Sequence, residues 1–342
     1  MKPKTVVICF DTHTPYLAYR VTQLAGELRR RGLEGQVRLR VVLIAGKEST
    51  YGWEGEEFER QYGGVPVSVL SPTFRGLGLR AYFRLSTVKT CAKFFWLLLW
   101  LRAKMVLVGG YDRPESMLAG LSAWLFRWRV GVMHDSRFND AESFGKNVVL
   151  ERLKSLMVRR YHFFMCSGQE CVDYSRFLAG SRKPAYRCGW NVVDNAAIAT
   201  AADSPESDSE IYQHFGIPEG TPFFLMPIRF IAKKNATRVL RAFARFRDSV
   251  TANPSVSLVI CGQGELEADY RRSVERLGLS QAVSIVPWLD YSQVPRACRL
   301  SNGVLLASTH DQWGLVVNEA LAAGAPVLVS NRCGAHELVK NG

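Results

Sequence analysis

Two carboxylates, Asp311 and Glu319, stand eight residues apart in the stretch Ala307 to Ser330, which reads Ala-Ser-Thr-His-Asp-Gln-Trp-Gly-Leu-Val-Val-Asn-Glu-Ala-Leu-Ala-Ala-Gly-Ala-Pro-Val-Leu-Val-Ser. An apolar run, Val304 to Ala307, enters it as a strand; Gly314 sits in a polar turn; Leu315 to Ala323 has helical spacing that Gly324 stops. Such a turn aims the first free N–H groups of a helix at the carboxyl edge of a sheet, where the macrodipole is positive. It is a seat for phosphate. In a helix begun at Gly314, Glu319 lies about one and a half turns along, deep enough to meet a ribose, while Asp311 stays in the turn and faces a sugar hydroxyl. The competing reading makes Asp311 a helix cap and Glu319 a solvated helix residue, although Glu319 has Leu315, Val316, Ala320 and Ala323 around it.

Three further groups offer related chemistry. Arg229 and Lys234 are five residues apart across a strand-to-helix turn, so both can converge on one diphosphate, with Lys233 the weaker candidate. Gly262-Gln-Gly264 follows an apolar run and lets backbone approach phosphate. His134, in His134-Asp135-Ser136-Arg137, ends an apolar run where open α/β sheets place ligands; it reads either as a group that orients a reacting sugar or as a hydrogen-bonded strand-end histidine. Asp11 and His13 lack a third ligand and read as turn residues. Gly76-Leu-Gly78 mimics a dinucleotide fingerprint but has no partner acid. No Asp-x-Asp occurs in the chain, so chemistry without a metal ion is preferred.

The elements that must hold these residues alternate as strand and helix. Strands are expected at Thr5–Phe10, Val37–Ala45, Val65–Leu70, Met105–Gly109, Val130–Met133, Phe163–Cys166, Phe223–Ile228, Ser257–Cys261, Val283–Trp288 and Gly303–Ala307, with helices at Tyr19–Arg31 and Pro114–Phe126 and from Ala236. Ser167-Gly-Gln-Glu170 reads as a capping box, and Glu151 with Lys154 as a surface pair on a helix running to Arg160. Ala199 to Glu210 is polar and Pro-containing, and reads as a linker. The 342 residues therefore divide into domains 1–204 and 205–342, two doubly wound Rossmann-like α/β units expected to face each other across a cleft.

Charge separates the two. Residues 1–200 hold 30 Lys and Arg against 17 Asp and Glu, whereas residues 201–342 hold 14 of each. The first domain should face something anionic, a membrane surface, a lipid diphosphate or nucleic acid. No nucleic-acid-binding module is recognisable in it. From Arg60 to Tyr111 there is no acid, while Arg75, Arg80, Arg84, Lys89, Lys93, Arg102 and Lys104 alternate with aromatics. The run Phe94 to Leu101 is too short to span a bilayer and reads as a crossover helix; the basic flank before it reads as a membrane-facing segment. Eight cysteines without a C-x-x-C pair suggest buried thiols in a cytoplasmic chain, and the N-terminal apolar run is too short for a secretory signal.

The run Asp311-Gln-Trp-Gly-Leu-Val-Val-Asn-Glu-Ala-Leu-Ala-Ala-Gly-Ala-Pro-Val resembles the E-x7-E signature of family 4 of the retaining glycosyltransferases, with Asp311 at the first Glu position, one methylene shorter. Arg229 to Asn235 resembles the family's Arg/Lys segment, with Asn235 where Gly is usual, and Tyr186 to Asp194 resembles the close of its first domain. The Asp11–Tyr16 loop, Gly-rich in the family, has no glycine here. The resemblance implies the GT-B fold and transfer of a sugar from a UDP- or GDP-linked donor to a glycan or lipid-linked acceptor, with retention and no cofactor. It implies that Glu319 holds the ribose, that Gly314, Leu315 and Val316 offer backbone N–H groups, that Arg229 and Lys234 neutralise the leaving diphosphate, and that His134 and Asp311 flank the sugar. Family members continue through further helices, so it also implies a second domain incomplete at Gly342. A sugar-nucleotide epimerase of the same architecture and a non-catalytic scaffold are the alternatives. Residence at the inner membrane face would follow from the basic half.

Overall fold

The computed structural model describes residues 3–11, 14–47, 58–73, 85–138, 148–188, 191–205, 208–249 and 256–340. It forms two units, Met1–Val192 and Val193–Gly342. In the first, β1 (Lys4–Phe10), β2 (Val37–Lys47), β3 (Val67–Thr73), β4 (Ala103–Gly109), β5 (Arg129–His134), β6 (Phe163–Cys166) and β7 (Ala185–Arg187) line up as β3-β2-β1-β4-β5-β6-β7. Every pairing is parallel. Central strands covered on both faces need no polar side, which is why Val41, Val42 and Leu43 are consecutive and all fully buried. Helix α1 (Pro15–Arg30), with the short α2 (Phe58–Gln61) against it, packs on one face. On the other lie α3 (Leu85–Trp100), α4 (Pro114–Phe126), α5 (Val148–Val158) and α6 (Gln169–Ala179).

Local chemistry explains where these helices start. Helix α1 begins four residues before the expected Tyr19, because Thr14 Oγ1 accepts from the Leu17 N–H (3.1 Å) and Pro15 fills the first turn. The capping box expected at Ser167 does not form. Gly168 is the N-cap of α6 with no side-chain bond, Ser167 Oγ accepts from Asn191 Nδ2 (3.0 Å), and Glu170 pairs with Arg137. Phe94 and Leu98 lie in the core, as a crossover helix requires.

The second unit contains α7 (Asn195–Ala202), α8 (Asp208–Phe215), β8 (Phe223–Pro227), α9 (Ala236–Ser249), β9 (Ser257–Cys261), α10 (Glu267–Arg276), β10 (Val283–Val286), α11 (Val294–Leu300), β11 (Gly303–Leu306), α12 (Leu315–Ala322) and β12 (Val327–Val329). Its sheet runs β10-β9-β8-β11-β12, wound about β8 as the first is about β1. Strand order reverses between β8 and β11, so the loops leaving their carboxyl ends diverge and leave a place for a ligand.

The units divide between Val192 and Val193, earlier than the expected division after residue 204, and most of the expected linker is helical. Asp194 accepts from the Ala197 N–H (3.0 Å) and caps α7. Arg296 of α11 binds both carboxylate oxygens of Asp208 (2.5 and 2.7 Å) and the Ala202 carbonyl (2.8 Å). Asp208, within the stretch that resembles a linker, is thus an ion-pair partner, and Asp194, just before that stretch, is a helix cap. The Arg296 guanidinium holds the Asp208 carboxyl below its ordinary range, so this contribution is present at neutral pH and is lost as pH falls from about 4 through the depressed value. Arg296→Ala should lower stability by about 2 kcal/mol at pH 7, with the gap to wild type narrowing in acid. Urea unfolding at several pH values measures it, and equal midpoints at pH 7 would show that this pair does not hold α7 and α8.

Candidate functional site

The switch point of the second unit gathers most of the residues that the sequence singles out. The loops after β8 (228–235) and β11 (307–314) leave paired strands and are stitched together: the Thr309 N–H donates to the Lys233 carbonyl (2.8 Å), and Asn235 Nδ2 donates to the Ala307 carbonyl (3.1 Å). Asn235 has φ 61°, a left-handed conformation that its short polar side chain tolerates. Lys234 Nζ forms an ion pair with Asp311 Oδ2, both side chains largely withdrawn from water. Ser308 Oγ lies 3.4 Å from the same oxygen. The Asp311 backbone is held too, its N–H donating to the Arg332 carbonyl and its carbonyl accepting from the Gly334 N–H (3.1 Å each). Three loops therefore meet at Asp311. Arg229, half-buried, opens the first of them.

Helix α12 starts beside this junction. Gly314 is its N-cap, at φ 97°, where a Cβ would lie 2.6 Å from Leu306 Cδ2, and no side chain caps the helix. Asp311 is thus not the cap; its carboxylate goes to Lys234. Leu315 and Val316 form the uncapped first turn, whose N–H groups carry the positive end of the dipole. Trp313 Nε1 donates to Asn318 Oδ1 (2.8 Å) and fastens turn to helix. Glu319, one turn below Leu315, is only 7% exposed, which removes the solvated-face reading. Burial, and then the Glu319 charge, pushes the Cys298 thiol up.

Gly262 and Gly264 serve the same junction indirectly. A Cβ on Gly262 would sit 1.9 Å from the Ile228 carbonyl oxygen, and one on Gly264 2.7 Å from that of Phe230. With both absent, the loop after β9 lies flat on the Arg229 loop, and the Phe230 N–H donates to the Gln263 carbonyl (2.8 Å). These glycines buttress the cationic loop.

His134 lies in the first unit at the end of β5, 4% exposed. Its ring stands edge-on between Tyr111 (5.3 Å) and Phe164 (6.0 Å), with Nε2 2.8 Å from Ser175 Oγ. Cys166 and Cys171 complete the cluster, whose three possible ligand atoms lie within 4.8 Å of one another. Its members already satisfy each other: Cys171 Sγ donates to the His134 carbonyl (3.2 Å), and Ser175 Oγ lies 3.3 Å from Cys166 Sγ. The Cys171 thiol and then His134 draw the Cys166 thiol down, while Cys166 and burial push that of Cys171 up. A polar network of this kind fixes the strand end and the turn after it.

Several neighbours of His134 carry no sequence motif. Asn191 Nδ2 donates to Asp135 Oδ2 (3.1 Å) as well as to Ser167. The Lys154 ammonium donates to the Tyr174 hydroxyl and lies 5.3 Å from the centre of the Tyr111 ring. Asp11 pairs with Arg113. His13, Gly76, Gly78 and the basic flank Arg75–Arg84 lie outside the described residues, as does the Glu151 side chain.

Two parallel doubly wound units define a GT-B fold. The solved structure of Anabaena Alr3699/HepE in complex with UDP-glucose superposes with TM-score 0.66 at 17% identity, covering 98% of this chain and 83% of that one. Residues 207–342 match the family model of glycosyl transferases group 1. The D-inositol 3-phosphate glycosyltransferase of Jonesia denitrificans is 25% identical over 247 residues, 65% of this chain and 56% of that protein. The alpha-D-kanosaminyltransferase of Streptomyces kanamyceticus is 23% identical over 141 residues, 41% of this chain and 36% of that protein. The matched stretches thus span between about a third and just over half of these curated relatives.

Two measurements test the junction. Gly262→Ala should cost about 3 kcal/mol, because a carbonyl oxygen must move, whereas Gly278→Ala, at φ 67° with open space around it, should cost about 1 kcal/mol; equal losses in denaturant unfolding would refute the buttress. A double-mutant cycle with Lys234→Ala and Asp311→Ala should give a coupling of about 2 kcal/mol. Strict additivity would mean that the pair holds nothing.

Proposed function

We propose that this protein transfers a hexosyl or related sugar from a nucleotide-sugar donor to a glycan or lipid-linked glycan acceptor, with retention of configuration and without a metal ion. The observation that carries the reading is the convergence of Lys234, Asp311 and the uncapped start of α12 at the second unit's switch point, with buried Glu319 one turn below. In this reading the donor diphosphate rests on the N–H groups of Leu315 and Val316, and Arg229 and Lys234 balance the charge that grows as it leaves. Lys234 has three N–H bonds and gives one to Asp311, so it can hold carboxylate and phosphate together. Glu319 accepts from ribose hydroxyls. Gly262 and Gly264 keep the Arg229 loop in place.

The acceptor hydroxyl bonds to the anomeric carbon on the face from which the diphosphate departs. The phosphate oxygen takes the electron pair of the broken bond and the hydroxyl proton. Asp311, fixed by Lys234, stands beside the sugar. His134 acts as a positioning residue for the His134–Arg137 turn, since its imidazole is enclosed by Ser175, Cys171, Tyr111 and Phe164. The absence of any Asp-x-Asp favours this cationic arrangement over a metal-bridged diphosphate. The first unit, which carries the chain's positive excess, takes the acceptor.

Calorimetry with UDP and GDP is the first test. One nucleotide should bind at micromolar concentration, unaffected by EDTA, and Lys234→Ala should weaken it roughly 10- to 100-fold, the value of one charge-assisted hydrogen bond. Binding of neither would favour a non-catalytic scaffold. Incubation with donor alone, followed by NMR, separates the epimerase: an altered sugar nucleotide formed without acceptor would overturn transfer.

A further inference from the structure

Helices α3 and α4 both run back to the amino-terminal edge of the first sheet, where β4 and β5 begin as paired neighbours with Met105 opposite Arg129. Their C-terminal halves meet near it, Phe95 and Phe126 touching edge to face at 5.1 Å. Outward from this contact stand Trp96, Trp100 and Trp124, exposed to 69, 77 and 87%, with Leu121 and Leu125 beside Trp124. Side chains this large and apolar are rarely left together in water without a partner. Around them, Arg102 and Lys104 lead into β4, and Arg127 and Arg129 lead into β5; all four are exposed. Lys89 and Lys93 extend the same face along α3, and Arg159 and Arg160 lie exposed where α5 returns to the start of β6. Between residues 85 and 131 the acids are Asp112 and Glu115, both at the opposite edge, where α4 starts.

We propose that this edge of the first unit docks on an anionic lipid bilayer, with the indoles of Trp96, Trp100 and Trp124 entering the headgroup boundary and the surrounding Arg and Lys side chains engaging lipid phosphates. Indole is the side chain best suited to that boundary, and a basic rim around an apolar centre is the complement of an anionic surface. A second copy of the chain is the poorer occupant. Two-fold pairing through this patch would bring Arg102, Lys104, Arg127 and Arg129 against their own copies, like charge on like. None of this depends on the donor site, and UDP binding is read in a separate titration without lipid.

The experiment is flotation of the full chain with vesicles of phosphatidylcholine containing 30% phosphatidylglycerol, set against vesicles of phosphatidylcholine alone. Wild type should float with the anionic vesicles at 50 mM NaCl, not with the neutral ones, and lose at least tenfold in affinity at 500 mM, since each surface cation contributes roughly fivefold and is screened by salt. Trp96→Ser with Trp124→Ser should lose at least tenfold with an unchanged melting temperature, because both side chains project into solvent. Arg127→Glu with Arg129→Glu should abolish flotation on the anionic vesicles while leaving the tryptophans in place. Tryptophan emission of wild type should be quenched by brominated lipid. The proposal is overturned if wild type ignores the anionic vesicles at low salt or if the tryptophan pair binds as well as wild type. It is equally overturned if light scattering shows a dimer that this pair dissolves.

Discussion

The ion pair between Lys234 and Asp311 is the contact on which the second unit's ligand edge depends. Lys234 ends a single 3-10 turn after β8 and Asp311 lies in the loop after β11, and the pair closes these two connections over the reversal between β8 and β11. Two charges withdrawn from water together tolerate neither separation nor the loss of one partner. The surrounding bonds point the same way. Thr309 to Lys233 and Asn235 to Ala307 set the spacing of the loops, and the bridge from Asp311 to Cys333 ties in the segment after β12. The start of α12 is thereby fixed relative to Arg229 and Lys234 before any ligand arrives, and a site that is already organised avoids the cost of ordering loops on binding.

The pair also sets the electrostatics. Asp311 cancels one positive charge, so the junction is not a strongly cationic hole. What remains is directional: the other N–H bonds of Lys234 and the dipole end of α12. An anion gains most there by matching several fixed donors at once, which selects for shape as well as charge. This fits the balanced charge of the second half, in contrast to the first half, where the net positive charge is not neutralised.

Much of this was legible in the sequence because it is written in consecutive residues. Buried parallel strands appear as apolar runs, and a glycine at φ 97° followed by helical spacing marks the start of α12. Other features depend on residues distant along the chain. Asp208, inside the supposed linker, gains its structural meaning only from Arg296, 88 residues beyond it. Ser167 satisfies the spacing of a capping box, yet Asn191 takes its hydroxyl. Gly262 and Gly264 signal a close approach of backbone, but the sequence cannot say whether the approaching group is a phosphate or the carbonyls of Ile228 and Phe230. Glu319 shows the limit in the other direction. Its apolar neighbours on the helix already argue against a solvated role, and its burial agrees with them.

The exposed tryptophans bear on how the first unit would work as well as where it would rest. In a parallel sheet the two edges are chemically distinct: ligands gather at the carboxyl ends of the strands, and the amino ends receive the returning helices. His134, Asp11 and Arg113 stand at the carboxyl edge. Trp100, Trp124, Arg102 and Arg129 stand at the other. A bilayer held at the amino edge would leave the carboxyl edge uncovered, so docking and acceptor binding would not compete for one surface. Such a separation lets the basic excess act on the membrane while the His134 network stays buried at the opposite edge.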